Sequence, residues 1–335
     1  MSITARLLEI VDRFADTRVV LWGDLVLDRF ILGTPKRISR EAPVIILRHE
    51  DQRDIPGGGA NALANLAALG VRVTAVAVVG DDEPGRALRQ ALEARGIDTA
   101  RILAVPGFRT PTKVRILGGG PSSLKHQVAR YDIEDELGGD EWRRPLLDHL
   151  LESAATADAV AISDYGYGSA SPELCRRFLE SAPSRPPLCL DSRYRIGAFA
   201  GVDGATPNLE ELETQQGRRL SSDIHVAQGA EMLREKLGAR YVLATRGSRG
   251  MTLAEAERDP LHIPVFGTDE VADVTGAGDT VLAVLTAAIA AGAEPHEGAH
   301  LANIAAGLVV MKLGTATVAG TELRAAVAGG ANDSA

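Results

Sequence analysis

Residues 273–280 read Asp273-Val274-Thr275-Gly276-Ala277-Gly278-Asp279-Thr280, and an apolar helix pattern runs on from Thr280 to Ala291. The glycines let the backbone approach a ligand closely. The first helical turn adds unpaired N–H groups and the positive end of the helix dipole. Together these make an anion site suited to phosphate. Asp279 follows where a carboxylate could accept a proton from a hydroxyl attacking that phosphate. A plainer account makes Gly276-Ala277-Gly278 a tight entry to a packed helix, with Asp279 as its N-cap. The acids and hydroxyls on both sides, Asp273 and Thr275 before and Asp279 and Thr280 after, favour phosphate chemistry.

Outward from this stretch, apolar periodicity switches between 2 and 3.6 along the chain. Strands are predicted at Arg18–Trp22, Val44–Arg48, Val71–Val79, Ala159–Ser163, Leu188–Asp191 and Tyr241–Thr245. Helices are predicted from Gly57-Gly58-Gly59-Ala60-Asn61 to Gly70, and over Pro84–Arg95, Pro172–Leu179 and His225–Leu237. That alternation predicts an α/β fold, a doubly wound and mostly parallel sheet covered on both faces. Residues 29–55 and 109–133 are helix-poor and extended, with Thr112–Leu117 and Gln127–Tyr131 as clear strands. They are expected to form a small sheet projecting as a lid over the carboxyl edge of the main layer. No linker or repeat divides residues 1–335, so one domain with an inserted lid is expected. Open lid edges need cover, which a homodimer would supply.

The net charge of −9 disfavours nucleic acid or an anionic membrane as a partner. Cys175 and Cys189 lack metal-site spacing and fit buried thiols in a reducing cytoplasm. The first 16 residues form an amphipathic helix pattern rather than a signal peptide, and Val281–Ala293 is too short to span a bilayer. Residues 325–335 are expected to fray.

Five ordered strings resemble the ribokinase-like (PfkB) carbohydrate kinases over residues 18–320. They are Gly23-Asp24-Leu25-Val26-Leu27-Asp28, Gly57–Asn61, Thr206-Pro207-Asn208-Leu209-Glu210-Glu211, Thr245-Arg246-Gly247 and Asp273–Thr280. Within that family the chain looks most similar to heptose 7-phosphate kinases. The strings there are Arg37-Ile38-Ser39-Arg40-Glu41-Ala42-Pro43-Val44, Thr112-Lys113-Val114-Arg115, Ser163-Asp164-Tyr165 and Lys312-Leu313-Gly314-Thr315. Two positions depart from that subfamily, Tyr167 where a lysine is usual and Asp191-Ser192-Arg193 where Asp-Pro-Lys is usual. No nucleotidyltransferase unit, which some members carry in fusion, is expected within these residues.

The resemblance implies ATP-dependent transfer to a sugar or sugar phosphate, with Mg²⁺ and a monovalent cation such as K⁺. Asp279 would be the general base, and Gly276, Ala277 and Gly278 an anion hole. Asp28, Gly57, Gly58 and Asn61 would meet the sugar; Asp24 is a weaker candidate with turn capping as its alternative, and Asn61 has an N-cap alternative. Asn208 and Glu211 would position phosphate and magnesium, Glu211 through water. Thr245, Arg246 and Gly247 would lie near nucleotide phosphates. Asp273 and Thr275 would hold the monovalent cation, closed by residues 314–317. Lys113, Arg115, Arg130 and Arg193 would grip a substrate phosphate, with Arg37 and Arg40 contributing from the lid.

Competing readings are a kinase of another sugar or of a nucleoside, and a non-catalytic binding protein on the same fold. A dinucleotide oxidoreductase is poorer, because Gly23-Asp24-Leu25 stands where a Gly-x-Gly-x-x-Gly turn should be. His296-Glu297-Gly298-Ala299-His300 matches a zinc-protease pattern, but two exposed helix histidines are the simpler expectation.

Overall fold

A computed structural model describes residues 2–120, 125–267, 273–312, 314 and 316–329. Its strands are β1 (Arg18–Gly23), β2 (Leu25–Ile38), β3 (Ile45–Gly58), β4 (Arg72–Gly80), β5 (Asp98–Val105), β6 (Thr112–Gly118), β7 (His126–Ile133), β8 (Ala159–Asp164), β9 (Leu188–Ser192), β10 (Gly204–Ala205), β11 (Tyr241–Thr245), β12 (Met251–Glu255) and β13 (Leu261–Ile263). The helices are α1 (Ile3–Asp12), α2 (Gly59–Ala68), α3 (Glu83–Glu93), α4 (Arg143–Ala154), α5 (Pro172–Ser181), α6 (Leu209–Gln216), α7 (Asp223–Leu237), α8 (Ala277–Ala290), α9 (Pro295–Val310) and α10 (Gly320–Gly329).

The main sheet runs in the order β13-β12-β11-β10-β9-β8-β1-β4-β5. It is parallel from β11 to β5, and antiparallel at β11–β12 and β12–β13. Period-two alternation sends Val19 and Leu21 of β1 into one core and Val20 and Trp22 into the other. The first core includes residues of α2, α8, α9 and α10; the second includes residues of α4, α5 and α7. Helices therefore cover both faces, and α8, buried from Asp279 through Ala288, is apolar all round as an enclosed helix must be.

A second sheet has the order β3-β2-β6-β7. β2 is buried through Asp28 and then runs out towards exposed residues beyond Pro35, so the strand that leaves β1 carries the chain from the main layer to the second sheet. The segment 29–38 offers little apolar periodicity, and its strand character comes from nine paired positions with β3, a long-range interaction invisible locally.

Several boundaries differ from expectation. β3 extends to Gly58, well beyond Arg48. Helix α8 begins at Ala277, not Thr280, because Gly276 adopts a left-handed φ of 82° as N-cap. Residues 325–329 are helical within α10, correcting the frayed tail there; residues 330–335 lie outside the described residues. Both cysteines are buried and unpaired. No helix among the described residues is long and apolar enough to cross a membrane.

Candidate active site

The turn after β1 sets the site. A side chain at Gly23 would collide with the Ser163 carbonyl at 2.2 Å, so bare backbone lets β1 and β8 end side by side. Asp24 is buried and accepts the N–H groups of Tyr165 (2.9 Å), Tyr167 (3.0 Å) and Ser169 (2.8 Å). It anchors the loop after β8, the turn-capping alternative to a sugar contact. Burial raises its pKa to about 6, partly offset by those three donors.

Asp28, farther along β2, is 4% exposed and pairs with Arg115 of β6. Gly57 backs it closely: a Cβ there would come within 2.4 Å of the carboxylate. Gly58, with φ 55°, is the N-cap of α2, which makes Asn61 an interior residue of that helix rather than its cap. Asn61 Nδ2 instead donates to Asp279 Oδ2 at 2.9 Å and to the Gly276 carbonyl at 3.4 Å.

Asp279 is the third residue of α8, not its N-cap, and only 5% exposed. Tyr165 donates its hydroxyl to Oδ1 at 2.8 Å. Burial lifts the Asp279 pKa to about 6, against the opposing pull of Asn61, Tyr165 and Lys113. A carboxylate of that basicity is ionised at neutral pH yet accepts a proton more readily than an ordinary aspartate.

Asp279 lies in a cavity of about 540 Å³. Of the expected site residues, Asp28, Gly58, Lys113, Arg115, Arg130, Arg193, Asn208, Glu211, Thr245, Thr275, Gly276 and Gly278 line it with Asp279. Others stand back. Ala277 donates its N–H to the Val274 carbonyl at 3.3 Å, leaving the turn's two glycines at the cavity. Arg246 is buried against Asp223 and Thr252 beneath the end of β11. Gly247 opens a 3₁₀ turn with φ 58°. Arg37 and Arg40 are exposed on the second sheet and its connecting turn, outside the cavity lining. Asp273 accepts from the N–H groups of Thr275 (2.9 Å) and Gly314 (3.2 Å). Burial works to raise its pKa, but these hydrogen bonds prevail and hold it below the usual range. Residue 315, part of the expected closing loop, lies outside the described residues.

Asn208 caps α6, and Glu211 returns the bond to the Asn208 N–H at 2.9 Å, a complete capping box. The pair also reaches the cavity because Asn208 bridges to Thr245 of β11. Burial raises Glu211 to about 7, and raises Asp191 well above its ordinary value, with repulsion from Glu211 and Asp279 adding to it. Buried carboxylates that repel one another are a fitting oxygen donor set for a divalent cation, and Mg²⁺ needs only one or two beside phosphates and water.

The four expected basic residues differ in their partners. Arg115 is committed to Asp28, and Arg130 forks onto Asp132 at 2.8 and 2.7 Å. Lys113 instead lies 5.1 Å over the Tyr165 ring, and Arg193 5.8 Å over Tyr194. Burial lowers the Lys113 pKa, while Asp28 opposes the shift.

Tyr165, Asp191, Tyr194 and Thr206 also line the cavity; the first two and Thr206 stand in the quoted strings without an assigned role, and Tyr194 in none. Two of them had a usable signal: Asp191 ends β9 and Tyr165 follows β8, and ligands of open α/β sheets bind beyond the carboxyl ends of strands.

The zinc-like motif has structural work to do. Glu297 accepts from the Glu294 N–H at 2.9 Å and from Arg6 at 3.0 Å. His296 and His300 are half-buried rather than exposed, and His296 sits beside Glu255 of β12 and Arg258. Among the described residues no group of three or more His, Cys, Asp or Glu side chains could hold a metal.

The profile described as "pfkB family carbohydrate kinase" matches residues 16–321. The chain belongs to the pfkB family of carbohydrate kinases. The "Bifunctional protein HldE" of Caulobacter vibrioides is 41% identical over 317 residues, 93% of this chain and 64% of that protein. The protein of the same name from Pseudomonas aeruginosa is 40% identical over 318 residues, again 64% of its length. This pfkB kinase chain thus spans just under two thirds of the curated relatives it matches. Solved folds agree. Arabidopsis thaliana ribokinase complexed with ribose and ATP aligns with a TM-score of 0.71 at 20% identity, covering 93% of this chain and 98% of that one. Escherichia coli phosphofructokinase-2 in complex with potassium aligns at 0.76 and 21%, with the same coverage. This member of the pfkB carbohydrate kinase family therefore has a ribokinase-like fold.

Proposed function

We propose that this kinase phosphorylates a sugar that already carries a phosphate, heptose 7-phosphate first, giving heptose 1,7-bisphosphate. The observation that carries this reading is the pair Lys113 and Arg193, which face the cavity over aromatic rings and, among the described residues, form no ion pair with a carboxylate. An acceptor phosphate would give both a bonded anionic partner, and a neutral sugar would not. The heptose-kinase strings at 37–44, 112–115 and 163–165 and the identity with the HldE proteins support the acceptor class.

In the reaction, the acceptor hydroxyl oxygen attacks the γ-phosphorus of ATP, its proton passes to Asp279, and ADP leaves. The two glycines of the 276–278 turn line the cavity where the transferred phosphoryl would sit, and the α8 dipole favours its charge. Asp28 would accept sugar hydroxyls. Asp191, Asn208 and Glu211 would hold Mg²⁺, Glu211 through water, and the ion would neutralise phosphate charge. Asp273 and Thr275 would serve a monovalent cation.

We take residues 1–335 as one kinase domain with the second sheet as its lid. Ile38, Val44, Ile45, Val128 and Tyr131, on that sheet and its connecting turn, are 48% to 69% exposed, which supports a homodimer through it. Sedimentation should give twice the chain mass; a monomer at micromolar concentration would remove that reading.

ADP release from Mg-ATP, measured against a panel of sugars, sugar phosphates and nucleosides, tests the function. Turnover confined to heptose 7-phosphate is the expected result. Preference for a neutral sugar or nucleoside would overturn the acceptor and keep the kinase.

A further inference from the structure

We propose that Tyr165 is a positioning residue for the reacting carboxylate, acting through its hydroxyl on Asp279 and mounted there by Asp24. The inference rests on Asp279 being the base, as argued above, and adds a residue to that assignment.

Three observations converge. The Tyr165 hydroxyl donates to Asp279 Oδ1 at 2.8 Å, while Asn61 holds the other oxygen at 2.9 Å, so both carboxylate oxygens have one fixed donor. Each keeps a lone pair for the acceptor hydroxyl, and the carboxylate plane cannot rotate without breaking a buried bond. The mount is equally specified: Asp24 accepts from the backbone of Tyr165, Tyr167 and Ser169, fixing the loop that carries the ring. Finally, the ring is confined on its sides. Lys113 lies 5.1 Å from its centroid, and a Cβ at Gly58 would meet the ring at 3.2 Å.

The charged and titratable groups acting on Asp279 from the neighbouring elements are Lys113 of β6, Asp28 of β2, Tyr165 after β8 and Asp191 of β9; Asn61 of α2 is a neutral donor. Removing the Tyr165 hydroxyl takes away one of the donors that favour the ionised carboxylate, so its proton should be held more tightly.

Tyr165→Phe deletes only that oxygen. The expected result is a fall in kcat of about tenfold, the worth of one hydrogen bond to a charged group. KM for ATP and the melting temperature should stay near wild type, and the acid limb of the kcat–pH profile should rise by about one pH unit. In the substrate-free protein, the carboxyl carbon resonance of Asp279, assigned by its loss in Asp279→Asn, should titrate higher in Tyr165→Phe by a similar amount. The double variant should be no slower than Asp279→Asn alone. Unchanged kcat and titration would overturn the proposal, and so would further loss in the double variant, which would mean that Tyr165 acts independently. If Asp279→Asn retained turnover, the base assignment would fail, and the resonance titration would still report whether Tyr165 governs that carboxyl.

Discussion

The wall of the cavity built by α8 and α2 and the wall built by the four-stranded sheet differ in what holds their charged groups. On the first, Asp279 is buried and meets two neutral donors, Asn61 and Tyr165. On the second, charge meets charge: Arg130 with Asp132 and Arg115 with Asp28. Neutral donors orient a carboxylate and leave it basic, whereas a cation at the same place would make it a poorer proton acceptor. The partly exposed Arg130–Asp132 pair is worth about 0–1 kcal/mol and exchanges partners cheaply, whereas Arg115 is held to the buried Asp28. The buried wall suits chemistry, and the ion-paired wall suits a grip that forms and releases with each acceptor.

That contrast can be broken by experiment. Asp279→Asn should lower turnover at least ~100-fold, the scale of positioned base catalysis, while ATP affinity stays unchanged. Near-normal turnover would show that the buried wall holds no base. Lys113→Met, on the opposite wall, should raise KM for a phosphorylated acceptor about tenfold and leave KM for ATP alone. A loss confined to kcat would instead assign Lys113 to the chemistry.

The smallest effect concerns stability without ligands. Burial raises Asp24 and Asp279 to about 6 and Glu211 to about 7, so between pH 4 and 7 the folded protein binds more protons than the unfolded chain. The stability these three groups contribute should therefore be fully present below about pH 4 and be lost as pH rises through 6 and 7. Across pH 5 to 8 the two buried aspartates alone should lose roughly 3 kcal/mol, with the partly exposed Glu211 adding less than its full share. Melting curves across pH 5 to 8 read this directly, and a melting temperature that climbs over that interval would contradict the carboxylate burial.

The same division governs what could be read from the chain. β1, β4, β8, β9 and β11 are buried apolar strands whose sequence carries their own signal, and each was located to within a residue or so of its ends. β2 beyond Arg29 has mixed polar character and exists as a strand because β3 and β6 pair with it. The glycine turn and Asp279 were legible because a close approach and a helix start both leave marks in local sequence. Tyr165 was not, since nothing near residue 165 indicates a carboxylate 114 positions away.

Periodicity and residue type were enough for the layered α/β class, the turn at 276–278 and the acid after it, and the family resemblance added the set of basic residues. Tertiary structure alone decided which donors hold Asp279, that Arg115 and Arg130 are already paired while Lys113 and Arg193 lie over rings, and that Arg246 turns away to Asp223. Those outcomes depend on burial and on distances between residues far apart in the chain. Both exist only once the two sheets have been brought together around the cavity.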